Sequence, residues 1–541
     1  MNKPAAYIDH PAPELAAALA GASSVNDLVD HWAAAQPGRL AICASSALAG
    51  SRRISYEALR SESLAIAAGL AEAGVAAGDR VGILADSRAY SESLLVYFAL
   101  LRLGAVMIPV NARQVDNEIL YTLSFASCVG LVAQPEFVDR IEALKPSVPK
   151  LRCLVSMSSR ARAGWIGWDR LLAANPACEW PRYEHGQPAN IIFTSGTTAR
   201  PKGVMHTHDT ALACGAIFSS ALSLRNDDVL HHGVPFFTSS GAQLTITAIL
   251  WVGATMLVEP TFDAAVVLQR MEDEGTTVFL GVPSHYLFML DELSRTPRKL
   301  PTIRVWDYGG SPMPSAAMHE LFRLFPRAEH RQQYGMTETG PTGTMLTPDE
   351  TLRRPDSVGR PMPLCEVKIV DPETGAQLSR GERGEICLRS AGCMIGYMDN
   401  PEATAKTLVD GWVRTGDVGW MDDEGFLFYT DRVKDIINRG GLKISSMEIE
   451  DALFQHPDVL EAAVVAIPHS RLGEDALAVV VPKPGATLDL AAIKAVCTRR
   501  LADYKVPRTF AVLDKLPRNP IGKVLKNELR KTDQLQLQWL E

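Results

Sequence analysis

Short apolar runs alternate with helical patterns along the first two-thirds of the chain, and this alternation limits the folds it can adopt. Residues 55–74 carry alanine and leucine at helical spacing, and the apolar run 81–85 follows them. The same order recurs, and further short apolar runs lie at 105–108, 129–132, 254–258, 277–280 and 303–306. Helices that alternate with short buried strands are typical of α/β layers with largely parallel sheets. We therefore predict an α/β fold of layered sheets and helices.

The pattern changes after about residue 361. Residues 366–370 and 384–389 alternate polar and apolar side chains, and a turn containing proline and glycine separates them. Alternation with a period of two predicts antiparallel hairpins, here in a small β-barrel subdomain.

Beyond residue 435 the chain has the composition of a separate compact unit. Helical and strand patterns follow one another there, at residues 448–455, 459–467, 476–481 and 488–501. About a hundred residues are enough for such an α+β unit to have its own core. We expect an N-terminal domain of residues 1–432 and a small C-terminal domain of residues 433–541.

The net charge and the cysteine content of the 541-residue chain limit which partners it can bind and which compartment it can occupy. Its formal net charge of −8 argues against a nucleic-acid partner, whose phosphates would repel the surface. The nine cysteines contain no C-x-x-C pair, which predicts reduced thiols in the cytoplasm. The longest apolar run, residues 244–258, is too short to span a bilayer, and acidic residues before residue 15 argue against a signal peptide. We expect a cytoplasmic chain with no membrane span.

Residues 194–203 read Thr-Ser-Gly-Thr-Thr-Ala-Arg-Pro-Lys-Gly and follow a buried apolar run. Hydroxyl groups and glycine backbone N–H groups can approach an oxyanion closely, so this loop suits a polyphosphate. It lacks the order G-x-x-x-x-G-K-[ST], and by itself a solvated turn is the alternative. The candidate phosphate-binding residues are Thr194, Ser195, Gly196, Thr197, Thr198 and Lys202.

A second run, residues 334–339, places a tyrosine, a hydroxyl and a carboxylate within five positions. Tyr334 could stack on an adenine base, Thr337 could bond a phosphate oxygen, and Glu338 could hold Mg²⁺. The alternative is a turn whose glutamate is only solvated.

Four further runs contain candidate site residues, and ordinary turn, linker or surface residues are the alternatives. Gly309 to Pro312 follow a strand pattern, and two glycines let a flat base or an acyl group approach the backbone. Asp417 follows a glycine turn and could accept two hydrogen bonds from a ribose diol. Lys523 stands on a loop between proline and glycine residues, and the charged run 431–441 ends in Gly440-Gly441.

Taken together and in this order, these runs resemble the adenylate-forming (AMP-binding) superfamily, in particular its acyl-CoA synthetase branch. The resemblance also includes Gly396-Tyr397 with residues 401–404, and it extends from about residue 41 to residue 530. It implies that a carboxylic acid and ATP form an acyl-adenylate and pyrophosphate, and that coenzyme A then takes the acyl group. The alternatives are an adenylating enzyme that loads a carrier protein and a non-catalytic nucleotide sensor.

The resemblance also implies residue roles. The phosphate loop and Lys202 would hold the outgoing phosphates, with Glu338 on Mg²⁺ and Thr337 beside it. Lys523 would bridge the carboxylate and the α-phosphate, and Lys434 would be the hinge of a rotating C-terminal domain. The remaining nucleotide and thiol contacts would come from Gly310, Ser311, Pro312, Tyr334, Gly335, Asp417, Arg432, Arg439, Gly440 and Gly441.

The sequence departs from the family pattern at three positions. Ala199 replaces a loop glycine, Thr238 stands where many acyl-CoA synthetases carry histidine, and Ser446 replaces a proline. Thr238 cannot pair with a substrate ammonium, which disfavours an amino acid as the substrate. Bulky residues expected near the acyl pocket indicate a small, medium or cyclic acid, namely Trp306, Tyr308, Phe236, Phe237 and residues 239–244. The oligomeric state stays open, with a homodimer as the candidate.

Overall fold

A computed structural model describes residues 24–159, 162–175, 180–181, 183–194, 201–311, 313–432, 435–440, 442–518 and 524–540. Several predicted site residues lie outside these ranges: Ser195, Gly196, Thr197, Thr198, Pro312, Lys434, Gly441 and Lys523.

The helices are α1 (Val25–Ala35), α2 (Tyr56–Glu72), α3 (Tyr90–Arg102), α4 (Asp116–Phe125), α5 (Val138–Leu144), α6 (Trp168–Leu172), α7 (His208–Ala221), α8 (Thr245–Val252), α9 (Ala264–Asp273), α10 (Pro283–Arg295), α11 (Ser315–Leu324), α12 (Pro348–Arg353), α13 (Pro401–Thr407), α14 (Ser446–Leu453), α15 (Leu490–Arg500) and α16 (Lys526–Leu529).

The strands before the third sheet are β1 (Leu40–Ser46), β2 (Gly50–Ser55), β3 (Arg80–Ala85), β4 (Val106–Asn111), β5 (Gly130–Ala133), β6 (Cys153–Ser156), β7 (Ile166–Gly167), β8 (Pro188–Thr194), β9 (Lys202–Thr207), β10 (Val229–His232), β11 (Thr255–Val258), β12 (Val278–Gly281), β13 (Val305–Tyr308), β14 (Glu329–Gly335), β15 (Gly343–Met345) and β16 (Arg360–Pro361). The later strands are β17 (Cys365–Val370), β18 (Gly384–Ser390), β19 (Gly396–Tyr397), β20 (Leu408–Val409), β21 (Trp412–Met421), β22 (Leu427–Arg432), β23 (Ile437–Arg439), β24 (Leu442–Ile444), β25 (Val459–His469), β26 (Gly473–Pro482), β27 (Thr509–Val512) and β28 (Gln538–Trp539).

Two large sheets form the first part of the molecule. One has nine strands in the order β16-β15-β14-β13-β12-β10-β11-β1-β2, and the other has eight in the order β19-β9-β8-β4-β3-β5-β6-β7. The central strands of both sheets are parallel. Antiparallel strands close both edges of the nine-stranded sheet and the β19 edge of the eight-stranded sheet, whose other edge ends in the parallel strand β7. These sheets confirm the predicted α/β fold, since the predicted apolar runs become β3, β4, β5, β11, β12 and β13.

Helix α3 lies between the two sheets. Nearly all of its side chains are buried, and its contacts reach β1 of one sheet and β3 and β4 of the other. A helix that is apolar on all sides has to be covered on all sides, which a position between two layers provides. The largest hydrophobic core accordingly contains residues of α2, α3, α7 and α8 together with strands of both sheets.

The remaining strands form two smaller sheets. Five antiparallel strands, with β17-β18-β21-β20 in line and β22 on β21, form the predicted hairpin subdomain. Six strands of the C-terminal part pack with α14 and α15 around a core of their own. The protein therefore has a large N-terminal domain and a smaller α+β C-terminal domain. Among the described residues, no helix combines the length and the apolar composition that crossing a bilayer requires.

Strand β9 is an element that the sequence did not predict. The glycine- and threonine-rich run was expected to be a loop, but its ends belong to a hairpin in which Thr194 pairs with Lys202 and Phe193 with Gly203. Pairing with β8 supplies the backbone hydrogen bonds that hold residues 202–207 extended, and this pairing is a long-range contact that local composition does not encode.

We predict that Gly215→Ala destabilises the N-terminal domain by about 1–3 kcal/mol, as expected for overpacking. A Cβ at this position of α7 would lie 2.6 Å from the backbone carbonyl of Thr247, which cannot move as a side-chain tip can. Alanine gains about 1 kcal/mol of helix propensity over glycine, so the clash must outweigh that gain. Denaturant unfolding measures the difference. Gly38→Ala is the control, because a Cβ there meets no atom within 4 Å; equal stability of the two variants would contradict the close packing of α7 on α8.

Candidate active site

The dipeptide Thr337-Glu338 lies at the centre of the candidate site, in a single 3₁₀ turn directly after β14. His206 Nε2 lies 2.9 Å from the carbonyl oxygen of Thr337, and the backbone N–H of Met394 donates to the carbonyl of Glu338 at 2.8 Å. The hydroxyls of Thr337 and Ser239 lie 3.1 Å apart. The turn is thus held from three other segments of the chain.

The side chain of Glu338 has one oxygen engaged and one available. Tyr397 donates its hydroxyl to Oε1 at 2.7 Å, and no donor among the described residues reaches Oε2. Burial and then the charge of Glu338 raise the pKa of the Tyr397 hydroxyl, which therefore remains a hydrogen-bond donor. The carboxylate itself is only 7% exposed.

His206 is held as a neutral imidazole. Its Nε2 faces the Thr337 carbonyl, which can only accept, so this nitrogen carries the proton, while Nδ1 lies 3.2 Å from the Thr210 hydroxyl. Burial lowers the pKa of His206 to about 4. A neutral ring with a fixed tautomer acts as a support for the turn at physiological pH.

A second set of contacts joins Tyr334, Asp417 and Arg432. The Tyr334 hydroxyl donates to Oδ2 of Asp417 at 2.7 Å, and Arg432 Nε approaches Oδ1 at 3.1 Å. Asp417 and Arg432 face each other across β21 and β22, which explains their proximity although they are 15 positions apart in the sequence. Burial and the Asp417 charge raise the pKa of Tyr334 well above its usual value. Burial acts to lower the pKa of Arg432, but Asp417, Tyr429 and Asp435 together outweigh it and the net shift is upward.

The glycines after β13 make room for β14 and for a ligand. A Cβ on Gly309 would lie 2.5 Å from Cγ of Gln333, so the residue must be glycine. Gly310 has a φ of +81°, in the left-handed region that glycine adopts at no steric cost. Both it and Ser311 are exposed. A Cβ on Gly335, at the end of β14, would lie 2.8 Å from the backbone carbonyl of Pro341, so this position also requires glycine.

Of the predicted phosphate-binding residues, Thr194 and Lys202 are described. They are cross-strand neighbours at the end of the β8–β9 hairpin where the connection between the two strands begins. The Lys202 ammonium lies 4.6 Å from the centroid of the Tyr397 ring, and no carboxylate within the described ranges pairs with it. This cation therefore remains available to an anionic ligand.

Two predicted residues lie apart from this group. Arg439 is buried in the C-terminal domain, where Nε lies 3.2 Å from Asp475 and Nη1 donates to the Tyr504 carbonyl at 2.7 Å. Gly440 has a φ of +60° and its N–H donates to the Leu472 carbonyl, as in a tight turn. In this structure the guanidinium of Arg439 forms these contacts within the C-terminal domain rather than with the predicted nucleotide-binding residues of the N-terminal domain.

The aromatic residues expected at the acyl pocket differ in their surroundings. Trp306 and Tyr308 are fully buried in a core formed with α10 and α11. Phe236 packs edge-to-face on Tyr90 at 5.4 Å, and the Tyr90 hydroxyl donates to the Gly241 carbonyl. Thr238 accepts a hydrogen bond from the Gly241 N–H at 3.0 Å and donates to the Pro235 carbonyl at 2.8 Å, so it caps the turn that leads into a π-helical segment.

The junction before the C-terminal domain contains a cluster that the sequence did not predict. The backbone N–H and the hydroxyl of Ser446 both donate to Oδ2 of Asp431, at 2.6 and 2.7 Å. Lys526 in turn donates to the Ser446 hydroxyl and pairs with Glu450 at 2.7 Å. A proline at position 446 would lack both the N–H and the hydroxyl. The serine at this position therefore forms three hydrogen bonds at the junction that a proline could not form.

The donor set around Glu338 fits Mg²⁺ that arrives with a nucleotide. No cluster of three or more histidine, cysteine or acidic side chains occurs among the described residues, so the protein offers one carboxylate rather than a cage. Mg²⁺ is commonly held by one or two carboxylates together with substrate phosphates.

Comparison with known proteins agrees with this geometry. Residues 29–398 match the family model of the AMP-binding enzymes, and residues 448–523 match that of the AMP-binding enzyme C-terminal domain. The putative acyl-CoA synthetase YngI of Bacillus subtilis (strain 168) is 33% identical over 537 residues, covering 94% of this chain and 96% of the relative. The fatty acid–[acyl-carrier-protein] ligase ScoC of Streptomyces coeruleorubidus is 34% identical over 488 residues, covering 88% and 91%.

Among solved structures, ATP-bound MatB from Rhodopseudomonas palustris superposes with a TM-score of 0.83 at 30% identity, and the match covers 94% of this chain and 99% of MatB. The match of family model, relatives and fold extends over both domains. The chain therefore belongs to the AMP-binding enzyme family, as an AMP-forming acid–thiol ligase that uses ATP, Mg²⁺ and coenzyme A to make an acyl-CoA.

Proposed function

We propose that the residues around Thr337-Glu338 and Asp417 bind ATP for attack by a carboxylic acid. The convergence of the Tyr334–Asp417–Arg432 contacts with the supported Thr337-Glu338 turn supports this assignment best. Tyr334 lies on β14 and Thr337 lies three residues further on, in the turn after the strand, so this one segment would set the spacing between the nucleoside and phosphate ends of the ligand.

We assign the nucleoside end to Tyr334, Gly335 and residues 310–312, with Asp417 and Arg432 at the ribose and phosphate. Asp417 already accepts hydrogen bonds through both oxygens, which supports its use as an acceptor for a diol. The exposed glycine backbone at Gly310 leaves space for a flat base. The phosphate end would be held by residues 194–198 and Lys202.

Glu338 would hold Mg²⁺ through the oxygen that Tyr397 leaves available. When bound, Mg²⁺ neutralises charge on the phosphates as pyrophosphate departs. Thr337 would bond a phosphate oxygen through its hydroxyl, which Ser239 holds in place.

The first step joins two anions. A carboxylate oxygen forms a bond to the α-phosphorus while the bond to pyrophosphate breaks, so positive charge and positioning matter more than a base. We assign that charge to Lys523. In the second step the sulfur of coenzyme A forms a bond to the acyl carbon, and AMP leaves.

The two steps require two arrangements of the C-terminal domain. We propose that residues 433–541 rotate about Lys434 against residues 1–432, which would withdraw Lys523 and bring residues 439–441 toward the thiol. Asp431 precedes this hinge and Ser446 follows it, so the hydrogen bonds between them would stabilise one arrangement of the two domains.

We propose a small, medium or cyclic carboxylic acid as the substrate. The edge-to-face packing of Phe236 on Tyr90, directly before the Ser239 segment, supports this, because large rings fill space that a long chain would need. The free thiols of the described cysteines are consistent with a reducing cytoplasm. A homodimer stays a prediction.

The test of this function is exchange of labelled pyrophosphate into ATP with a panel of carboxylic acids. We expect exchange with short, medium or cyclic acids and, after addition of coenzyme A, an acyl-CoA detected by mass spectrometry. Exchange followed by acylation of a carrier protein but not of coenzyme A would favour the carrier-loading alternative that ScoC represents. No exchange with any acid would contradict adenylation by this chain.

We predict that Lys523→Ala lowers the adenylation rate by about 10²–10³, the loss expected for one transition-state charge partner. Thioester formation from supplied acyl-adenylate should persist, because the lysine would have turned away by then. Lys515→Ala, an exposed lysine upstream on the same domain, is the control and should change neither half-reaction. An equal loss in both half-reactions would contradict the assigned role.

We predict that Lys434→Pro separates the two half-reactions. Proline fixes φ near −65° and removes the N–H, so the hinge could no longer adopt two conformations. One half-reaction should be lost and the other kept, as measured by pyrophosphate exchange and by thioester formation from acyl-adenylate. Lys434→Ala, which leaves the torsion free, should retain more of the lost half-reaction than the proline variant. Normal rates for both steps in Lys434→Pro would show that the hinge lies elsewhere.

A further inference from the structure

Lys202 and the Thr337-Glu338 turn form the two ends of the proposed phosphate site, and one face of β9 carries side chains that reach both ends. Side chains alternate along a strand, so Lys202, Val204 and His206 lie on the same face. Tyr397 on β19 is the cross-strand neighbour of Val204 and packs with Val204 and Met394. The tyrosine ring therefore lies between the lysine at one end of this face and the Thr337-Glu338 turn at the other.

Tyr397 contacts both charged groups of the phosphate site. Its hydroxyl donates to Oε1 of Glu338 at 2.7 Å, and its ring faces the Lys202 ammonium with 4.6 Å to the centroid. The tyrosine is 5% exposed and the glutamate 7%, so water competes little for the hydroxyl bond. The two contacts use different parts of one side chain.

We propose that Tyr397 is a positioning residue that orients the Glu338 carboxylate through its hydroxyl and seats the Lys202 ammonium through its ring. This inference rests on the proposed roles of Glu338 at Mg²⁺ and of Lys202 at the phosphates. The hydroxyl occupies Oε1 and so presents Oε2 to the cation. The ring attracts the lysine ammonium without a carboxylate counter-ion, so no negatively charged side chain competes with the nucleotide for this cation.

Because the two contacts are separable, two substitutions distinguish them. Tyr397→Phe removes the hydroxyl and keeps the ring, whereas Tyr397→Leu removes both. We expect Tyr397→Phe to raise the Mg²⁺ concentration for half-saturation of pyrophosphate exchange by about 10- to 100-fold, as is typical of residues that orient a metal ligand.

Nucleotide binding without the acid gives a readout that does not depend on turnover. Isothermal titration calorimetry should show weaker binding of MgATP to Tyr397→Phe, with unchanged binding of ATP in the presence of a chelator. Tyr397→Leu should weaken both. A loss in Tyr397→Phe of equal size with and without Mg²⁺ would overturn the inference, since it would reflect a general structural defect.

Tyr183→Phe is the matched control, because the Tyr183 hydroxyl also donates to a carboxylate, that of Asp209, at 2.6 Å and outside the phosphate site. It should leave the Mg²⁺ dependence unchanged. Glu338→Gln separates the two levels of the inference. If it raises the Mg²⁺ requirement while Tyr397→Phe stays within twofold of the unmodified enzyme, the positioning role of Tyr397 is wrong and that of Glu338 stands. If Glu338→Gln changes neither readout, the proposed role of Glu338 fails.

Discussion

The hydrogen bond between His206 and the Thr337 carbonyl joins the two large sheets at the nucleotide site. His206 lies on β9 of the eight-stranded sheet, and Thr337 follows β14 of the nine-stranded sheet. The turn that presents Glu338 therefore keeps its position only while the two sheets keep theirs. Burial keeps this imidazole neutral, because it lowers the pKa of His206 to about 4.

The same dependence on packing extends to the polar groups around the site. Tyr334, Asp417 and Arg432 come from β14, β21 and β22, and their hydrogen bonds satisfy one another in a region largely removed from water. Buried polar groups cost free energy unless they are paired, so these residues hold the antiparallel subdomain against the end of β14. The same side chains are the ones that we propose to contact ATP.

The junction between the two domains combines a charged connecting run with a buried polar cluster. The charged run after β22 connects the domains, and Asp431 fixes the start of α14 through Ser446 just beyond it. Lys526 and Glu450 complete that cluster, and burial and then Lys526 act in opposite directions on the pKa of Glu450, with a net upward shift. A paired, buried cluster of this kind gives the junction before the C-terminal domain a defined geometry in this structure.

The amino-acid sequence by itself determined the α/β class, the change to antiparallel hairpins and the compact C-terminal unit, because each follows from local periodicity. It also indicated the family and predicted the residue types of the site, since Tyr334, Glu338 and Asp417 belong to contiguous runs. Only the tertiary structure revealed that Lys202, Val204 and His206 share a strand face, that Tyr397 bridges Lys202 and Glu338, and that Arg439 is buried beside Asp475. These relations join segments far apart in the chain, and pairing across sheets leaves no periodic signal in either segment alone.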